Sequence, residues 1–160
     1  MSLSNLGIFH TAIGVIALAA GIVSFVRSGK IDLADRSGRI YLYGAVITSL
    51  TALGLSRHGG FNAGHVFSLF ILILILIAAF LFYKKPGNSR IRHFENILFS
   101  FSFLLSLVPT INETFTRVPV GHPLAKDPSD PLIGGTLLGF FVLFIIGSIL
   151  QFRRQQRLKP

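Results

Sequence analysis

The chain has 160 residues, of which 51% are hydrophobic and only 13% charged, with a mean hydropathy of +0.68 and a formal net charge of +9. That length amounts to a single domain, and the composition lies outside the habit of soluble globular domains. Cysteine is absent, which excludes disulfides and thiolate ligands and leaves histidine as the one good soft-metal or haem ligand.

Residues 1–5 lack a basic n-region, and the apolar run after them is too long for an h-region, so no removable signal peptide is expected. The first predicted span covers 6–26. Steps of three and four place His10, Gly14, Ala17, Gly21 and Ser24 on one face. Small residues along one stripe let membrane helices approach closely. A polar hairpin, 27–39, follows. The second span, 40–56, is short for a bilayer unless Arg39 and Arg57 snorkel at its ends. Its small or polar stripe is Tyr41, Gly44 or Ala45, Thr48 and Ala52.

After a glycine-containing turn at 56–62 comes the third span, 63–83, with His65 at its mouth. Its segment 66–83 is the most apolar in the chain: 18 residues without a charge, Pro or Gly. At about 1.5 Å per residue it crosses most of a hydrocarbon layer of roughly 30 Å. The Ile/Leu alternation at 71–77 also fits a buried strand. In lipid an open strand leaves its backbone unpaired, so the helix is preferred.

A basic turn, KKPGNSRIR, leads to the fourth span, 93–115. Ser102, Ser106, Pro109 and Glu113 share a face expected to point into the bundle, and Pro109 frees the carbonyl of Leu105. Residues 116–131 hold four prolines and read as an extended, non-helical loop. The fifth span, 132–152, opens with Gly134, Gly135 and Gly139.

Charge sets the orientation. With five spans, one side receives Arg27, Lys30, Arg36, Arg39, Lys84, Lys85, Arg90, Arg92, Arg153, Arg154, Arg157 and Lys159, and the other only Arg57, Arg117 and Lys126. By the positive-inside rule the N-terminus is outside and the C-terminus cytoplasmic. The expected fold is therefore all-α: a polytopic membrane helix bundle of five transmembrane helices, residues 1–160 forming a single transmembrane domain in a cell membrane, as in a bacterial inner membrane. The positive charge belongs to topology and anionic lipid headgroups rather than to nucleic acid.

His10, His65 and Glu113 all fall within about two turns of the outer surface, and His58 and His122 lie in outer loops. Ionisable residues inside a span usually face the bundle or a wet cavity. One reading is a haem b held by His10 and His65, or a divalent metal held by His10, His65 and Glu113. The other reading makes both histidines interfacial residues and pairs Glu113 with Arg117, one turn on. At the inner end, His93 reads as a headgroup-level residue, and Glu95, in the first turn of its helix, needs no catalytic role. The hydroxyls of Ser100, Ser102, Ser106 and Thr110 line a water path or bond back to their own helix. No motif for metalloprotease, nucleotide or Ser/His/Asp chemistry is present.

Three segments, IFHTAIGVIALAAGIVSFVRSGK, DRSGRIYLYGAVITSLTALGLS and SRIRHFENILFSFSF, resemble a bacterial family of small predicted membrane proteins of unknown function. That family is in turn distantly similar to bis-histidine haem membrane proteins of the cytochrome b561 type. The resemblance places His10 at the early-helix histidine, Gly38, Arg39 and Tyr41 at the junction, and His93 at the later histidine. The junction histidine itself is missing, since Ala34 or Asp35 occupies its place. An inner haem pair would be broken, which leaves His10 with His65. The leading expectation is thus a cofactor-binding, electron-transfer-type membrane protein with its site near the outer face. The alternative is a non-catalytic membrane subunit or assembly protein that docks other helices, either a partner's or those of its own copies. A carrier or channel is disfavoured because no charged residue lies at mid-depth.

Overall fold

A computed structural model describes residues 4–55, 60–84 and 89–157. Arg57, His58, Lys85 and Lys159 lie outside the described residues, as does part of each of the turns 56–62 and 84–92. The described chain is all-helical: α1 (Asn5–Ser28), α2 (Arg36–Ala52), α3 (Ala63–Lys84), α4 (Ser89–Phe115) and α5 (Pro131–Arg157), with no strand among the described residues. Four of the five, α1, α3, α4 and α5, are long and apolar enough to cross a membrane. α2 has 17 residues, about 26 Å at 1.5 Å per residue.

The chain divides into two compact units, Met1–Phe99 and Ser100–Pro160, with the boundary inside α4. The first is organised by the antiparallel pair α1 and α2, and its contacts run down the small-residue stripes expected from sequence. The Nδ1 of His10 lies 3.0 Å from the Thr51 hydroxyl, a Cβ on Gly14 would rest 3.5 Å from Thr48, and one on Gly44 would stand 2.8 Å from the Cβ of Ala17. Ala17, Ala20, Gly21 and Ser24 are the buried residues of α1, and Tyr41, Gly44 and Ala45 are among those of α2. In a bilayer, apolar residues gain nothing by leaving lipid for each other, so close backbone approach through small side chains is what holds such helices together.

The hairpin between them is shorter than expected and is not simply polar. α1 runs on to Ser28 and is closed by Gly29 in the left-handed conformation, φ 69°, whose N–H bonds to the carbonyl of Phe25. The loop then turns inward, burying Ile31 completely and Leu33 to 2% exposure. Ser24, fully buried, fixes it from both sides: its hydroxyl donates to the carbonyl of Lys30 and accepts the N–H of Asp32, each at 3.0 Å. Gly38 packs so closely on this loop that a Cβ there would sit 2.0 Å from the carbonyl oxygen of Asp32.

In the second unit, Ser100 and Gln151 hydrogen-bond at 3.1 Å, and the rings of Phe101 and Phe144 pack at 5.7 Å. Residues 116–130 are non-helical as expected but form turns rather than an extended run. The N–H of Ala125 bonds to the carbonyl of Phe115 at 2.9 Å, and Ala125 is buried with Ile111 and Ile133. Apolar burial of this one methyl draws the loop back onto α4 and α5. The hydroxyls of Ser106 and Thr110 bond back to the carbonyls of Ser102 and Ser106.

These packings predict a sharp ranking among glycine substitutions. Gly38→Ala and Gly44→Ala force backbone or a rigid neighbour to move and should each cost about 1–3 kcal/mol. Gly134→Ala, with no atom of its unit within 4 Å of the added methyl, should be neutral or raise stability by up to about 1 kcal/mol through helix propensity. Reversible unfolding in mixed micelles measures the order.

Candidate functional site

His65 is the third residue of α3 and belongs to its N-terminal cap. The side-chain oxygen of Asn62 accepts the N–H groups of Gly64, at 2.8 Å, and of His65, at 3.3 Å. In return the backbone N–H of Asn62 donates to the imidazole Nδ1 at 3.1 Å. This is a reciprocal capping box with an imidazole in the place usually taken by Glu or Gln. A backbone N–H can only donate, so Nδ1 carries no proton and the ring proton resides on Nε2. That Nε2 is buried and has no hydrogen-bond partner among the described residues, in a residue only 5% exposed. An orphaned buried donor costs about 1–3 kcal/mol.

His65 lines an open groove of about 440 Å³, together with Leu53, Gly60, Phe61 and Leu69. The Phe61 ring is 5.4 Å from the imidazole and tilted by 38°. His10 is held differently. The hydroxyl of Thr51 lies 2.9 and 3.0 Å from carbonyls of its own helix, at Ile47 and Thr48, and 3.0 Å from the Nδ1 of His10.

An iron or divalent metal needs a deprotonated nitrogen from each ligand, with the other ring N–H donated to a neighbour. His65, in its cap, carries its proton on Nε2 and spends its Nδ1 on the Asn62 N–H. Glu113 does not point into a bundle. It is exposed and ion-paired with Arg117 at 2.5 Å, because it lies in the last turn of α4, beyond the cluster of Ile111, Ala125 and Ile133. Among the described residues no group of three or more His, Cys, Asp or Glu side chains is arranged to hold a metal ion. His122 sits exposed in the 116–130 loop.

The first unit contains a second polar centre that sequence reasoning passed over. α4 begins at Ser89, four residues before the expected 93, so Glu95 stands nearly two turns inside the helix and is fully buried. The Arg92 guanidinium bonds its Oε2 at 3.0 Å and stacks 4.9 Å above the Phe82 ring. Lys30 and Asp32, themselves bridged at 3.1 Å, act on Glu95 electrostatically. Among the described residues the Oε1 of Glu95 and the Oδ1 of the adjacent Asn96 have no hydrogen-bond partner. Burial works to raise the Asp32 pKa, but the Ala34 N–H and the Lys30 ammonium outweigh it and hold the carboxyl below its ordinary 3.8. The stability Asp32 contributes is present above that ordinary value and is lost as pH falls through the lowered folded value.

Comparison with protein-family models, curated proteins and solved structures found no match. The site is therefore read from its own geometry.

The Arg92–Glu95 pair predicts an asymmetry. Arg92→Ala strands a buried carboxylate and should cost about 3–5 kcal/mol. Glu95→Gln leaves an arginine whose side chain, 26% exposed, can turn to water, and should cost about 1–3 kcal/mol. Unfolding of both variants and their double in micelles measures the difference and the coupling.

Proposed function

We propose that this is a five-span membrane protein, N-terminus outside and C-terminus cytoplasmic in the manner of a bacterial inner-membrane protein, and that it acts as a non-catalytic subunit by docking α5 against the α5 of a second copy. The orientation rests on the twelve basic residues that five spans place on one side against three on the other. α2 serves as the short second span, with Arg36 and Arg39 snorkelling at its start.

The observation that carries the docking reading is the glycine pattern of α5. At about 100° per residue, Ile133, Leu137, Phe144 and Gln151 share one face. Those are the α5 residues that meet the rest of the second unit. Gly135, Gly139, Val142 and Ile146 fall on the opposite face, within an arc of about 60°. Val142 and Ile146 are 47% and 49% exposed, and no atom of the unit lies within 4 Å of a Cβ built on either glycine. Glycine weakens a helix by about 1 kcal/mol relative to alanine, so two on one outward face need a reason. In α1 and α2 the same residue type is where helices touch. A face of this kind is self-complementary, as a two-fold interface requires.

The cofactor reading retains His10 but needs His65 to surrender its cap proton arrangement, which makes it the weaker of the two. An oxidised and reduced absorption spectrum, with a Soret band as its signature, tests it directly.

Because the chain has no cysteine, single-cysteine variants test the docking reading cleanly. Gly139→Cys and Val142→Cys should form disulfide-linked dimers in membranes, while Leu138→Cys and Leu143→Cys, on the flanks, should not. Gly135→Leu/Gly139→Leu should abolish the Val142→Cys product. Equal crosslinking around the helix, or none at the glycine face, refutes self-docking.

A further inference from the structure

The segment between α4 and α5 carries an apolar tip. Residues 118–125 contain no Asp, Glu, Lys or Arg. Two backbone bonds close them into a compact turn, from the N–H of His122 to the carbonyl of Pro119 at 3.1 Å and from the N–H of Leu124 to the carbonyl of Val118 at 3.3 Å. Gly121 permits the turn, with φ at 90°. Val118 is left 50% exposed, Val120 94% and Leu124 55%. Glycine and proline are what such a turn requires, but nothing in its geometry calls for valine or leucine. A single exposed aliphatic residue needs no explanation, whereas three on one closed turn form a patch.

The base of the turn is fastened to two helices that are each long and apolar enough to cross a membrane. The Ala125 N–H bonds to the carbonyl of Phe115 at 2.9 Å, and the buried Ala125 packs with Ile111 and Ile133. Ile111 lies four residues before the end of α4, so the chain doubles back by about one turn instead of standing away from the helix ends. Cations frame the tip. Arg117 precedes it, 43% exposed although paired with Glu113, and the exposed Lys126 follows it. The next two acids are held within their own segment, Asp127 by the N–H and hydroxyl of Ser129 and Asp130 by the N–H of Leu132 at the start of α5. Aliphatic side chains between cations match the boundary of a bilayer, where acyl chains meet phosphate groups. The imidazole of His122, with an apolar body and a polar edge, suits the same depth. A protein partner is the weaker match, because the tip offers no Trp, Tyr or Phe to anchor one.

We propose that the turn 118–124 is a membrane wedge: Val118, Val120 and Leu124 enter the acyl-chain boundary of the adjoining leaflet, while Arg117 and Lys126 lie among its phosphates. The partner is a phospholipid surface. The inference rests on α4 and α5 crossing the membrane and is independent of self-docking by α5.

The test uses the full chain in vesicles containing phosphatidylglycerol, at a low protein-to-lipid ratio. The chain has neither cysteine nor tryptophan, so single substitutions report without background. Pro128, exposed in the same loop and so on the same side of the bilayer, is the reference for water. Val120→Cys should react with a membrane-impermeant maleimide about tenfold more slowly than Pro128→Cys, because a thiol in apolar surroundings stays protonated. Val120→Trp should emit to the blue of Pro128→Trp and be quenched by lipid brominated near the headgroup end of its chains. Adding Val118→Asp/Leu124→Asp should abolish both differences. Leu143→Trp, at the middle of α5, reports separately on the span and should be quenched by lipid brominated deep in its chains, with or without the two aspartates. Gly135→Leu/Gly139→Leu should leave the Val120 signals unchanged. Quenching at Leu143→Trp with Val120 as reactive and as red-emitting as Pro128 overturns the wedge alone, and absence of quenching at both positions overturns the spanning reading with it. Protection of Val120 that survives the two aspartates, or that disappears with the glycines, assigns the cover to something other than lipid and overturns the proposal.

Discussion

Contact between α1 and α2 through small side chains is the constraint from which the rest of the first unit follows. Where such helices lie in lipid, apolar area alone gives them little reason to pair, because lipid solvates leucine as well as another leucine does. Dispersion does, provided the backbones come close, and each atom pair adds only about 0.1–0.2 kcal/mol. Gly44 beneath Ala17 and Gly14 beside Thr48 provide that closeness. Once the pair is set, its connecting loop has little freedom, and Ser24 draws Lys30 and Asp32 back against the end of α1. Gly38 then permits α2 to start directly on the Asp32 backbone.

That loop placement explains how a carboxylate is tolerated deep in α4. An isolated charge in a medium of low dielectric is prohibitive, and even a paired one needs its remaining hydrogen bonds filled. Glu95 has Arg92 one turn before it, with Lys30 and Asp32 brought near by the loop. Two positive and two negative charges thus neutralise one another, and the Phe82 face steadies the guanidinium. The loop is not a passive connection. Its apolar residues Ile31 and Leu33 plug the core, and its charged ones complete an electrostatic group that neither helix holds alone.

Much of this was legible in the sequence, and the failures have specific causes. The stripes of α1 and α2 were readable because close packing demands small residues at helical spacing, a strong and local signal. The Glu113–Arg117 pair was readable for the same reason, being four residues apart on one helix. The role of Glu95 was hidden because it depends on where α4 begins, and a basic turn with Pro and Gly suggested a later start than Ser89. The burial of Ile31 and Leu33 was hidden because two apolar residues among charges look like a solvated hairpin. His65 was singled out for its depth alone. The sequence signal for its local role, Asn62 three positions earlier, is a capping-box spacing that the expectation of a ligand obscured.

The cap also decides what kind of chemistry His65 can offer. An imidazole has one proton to place when neutral, and whichever nitrogen faces a fixed donor must go without it. At His65 the neighbour of Nδ1 is a backbone N–H, and the proton is driven to Nε2. Turning His65 into a metal ligand would require moving its proton to Nδ1, where it would collide with the Asn62 N–H and undo one half of the cap.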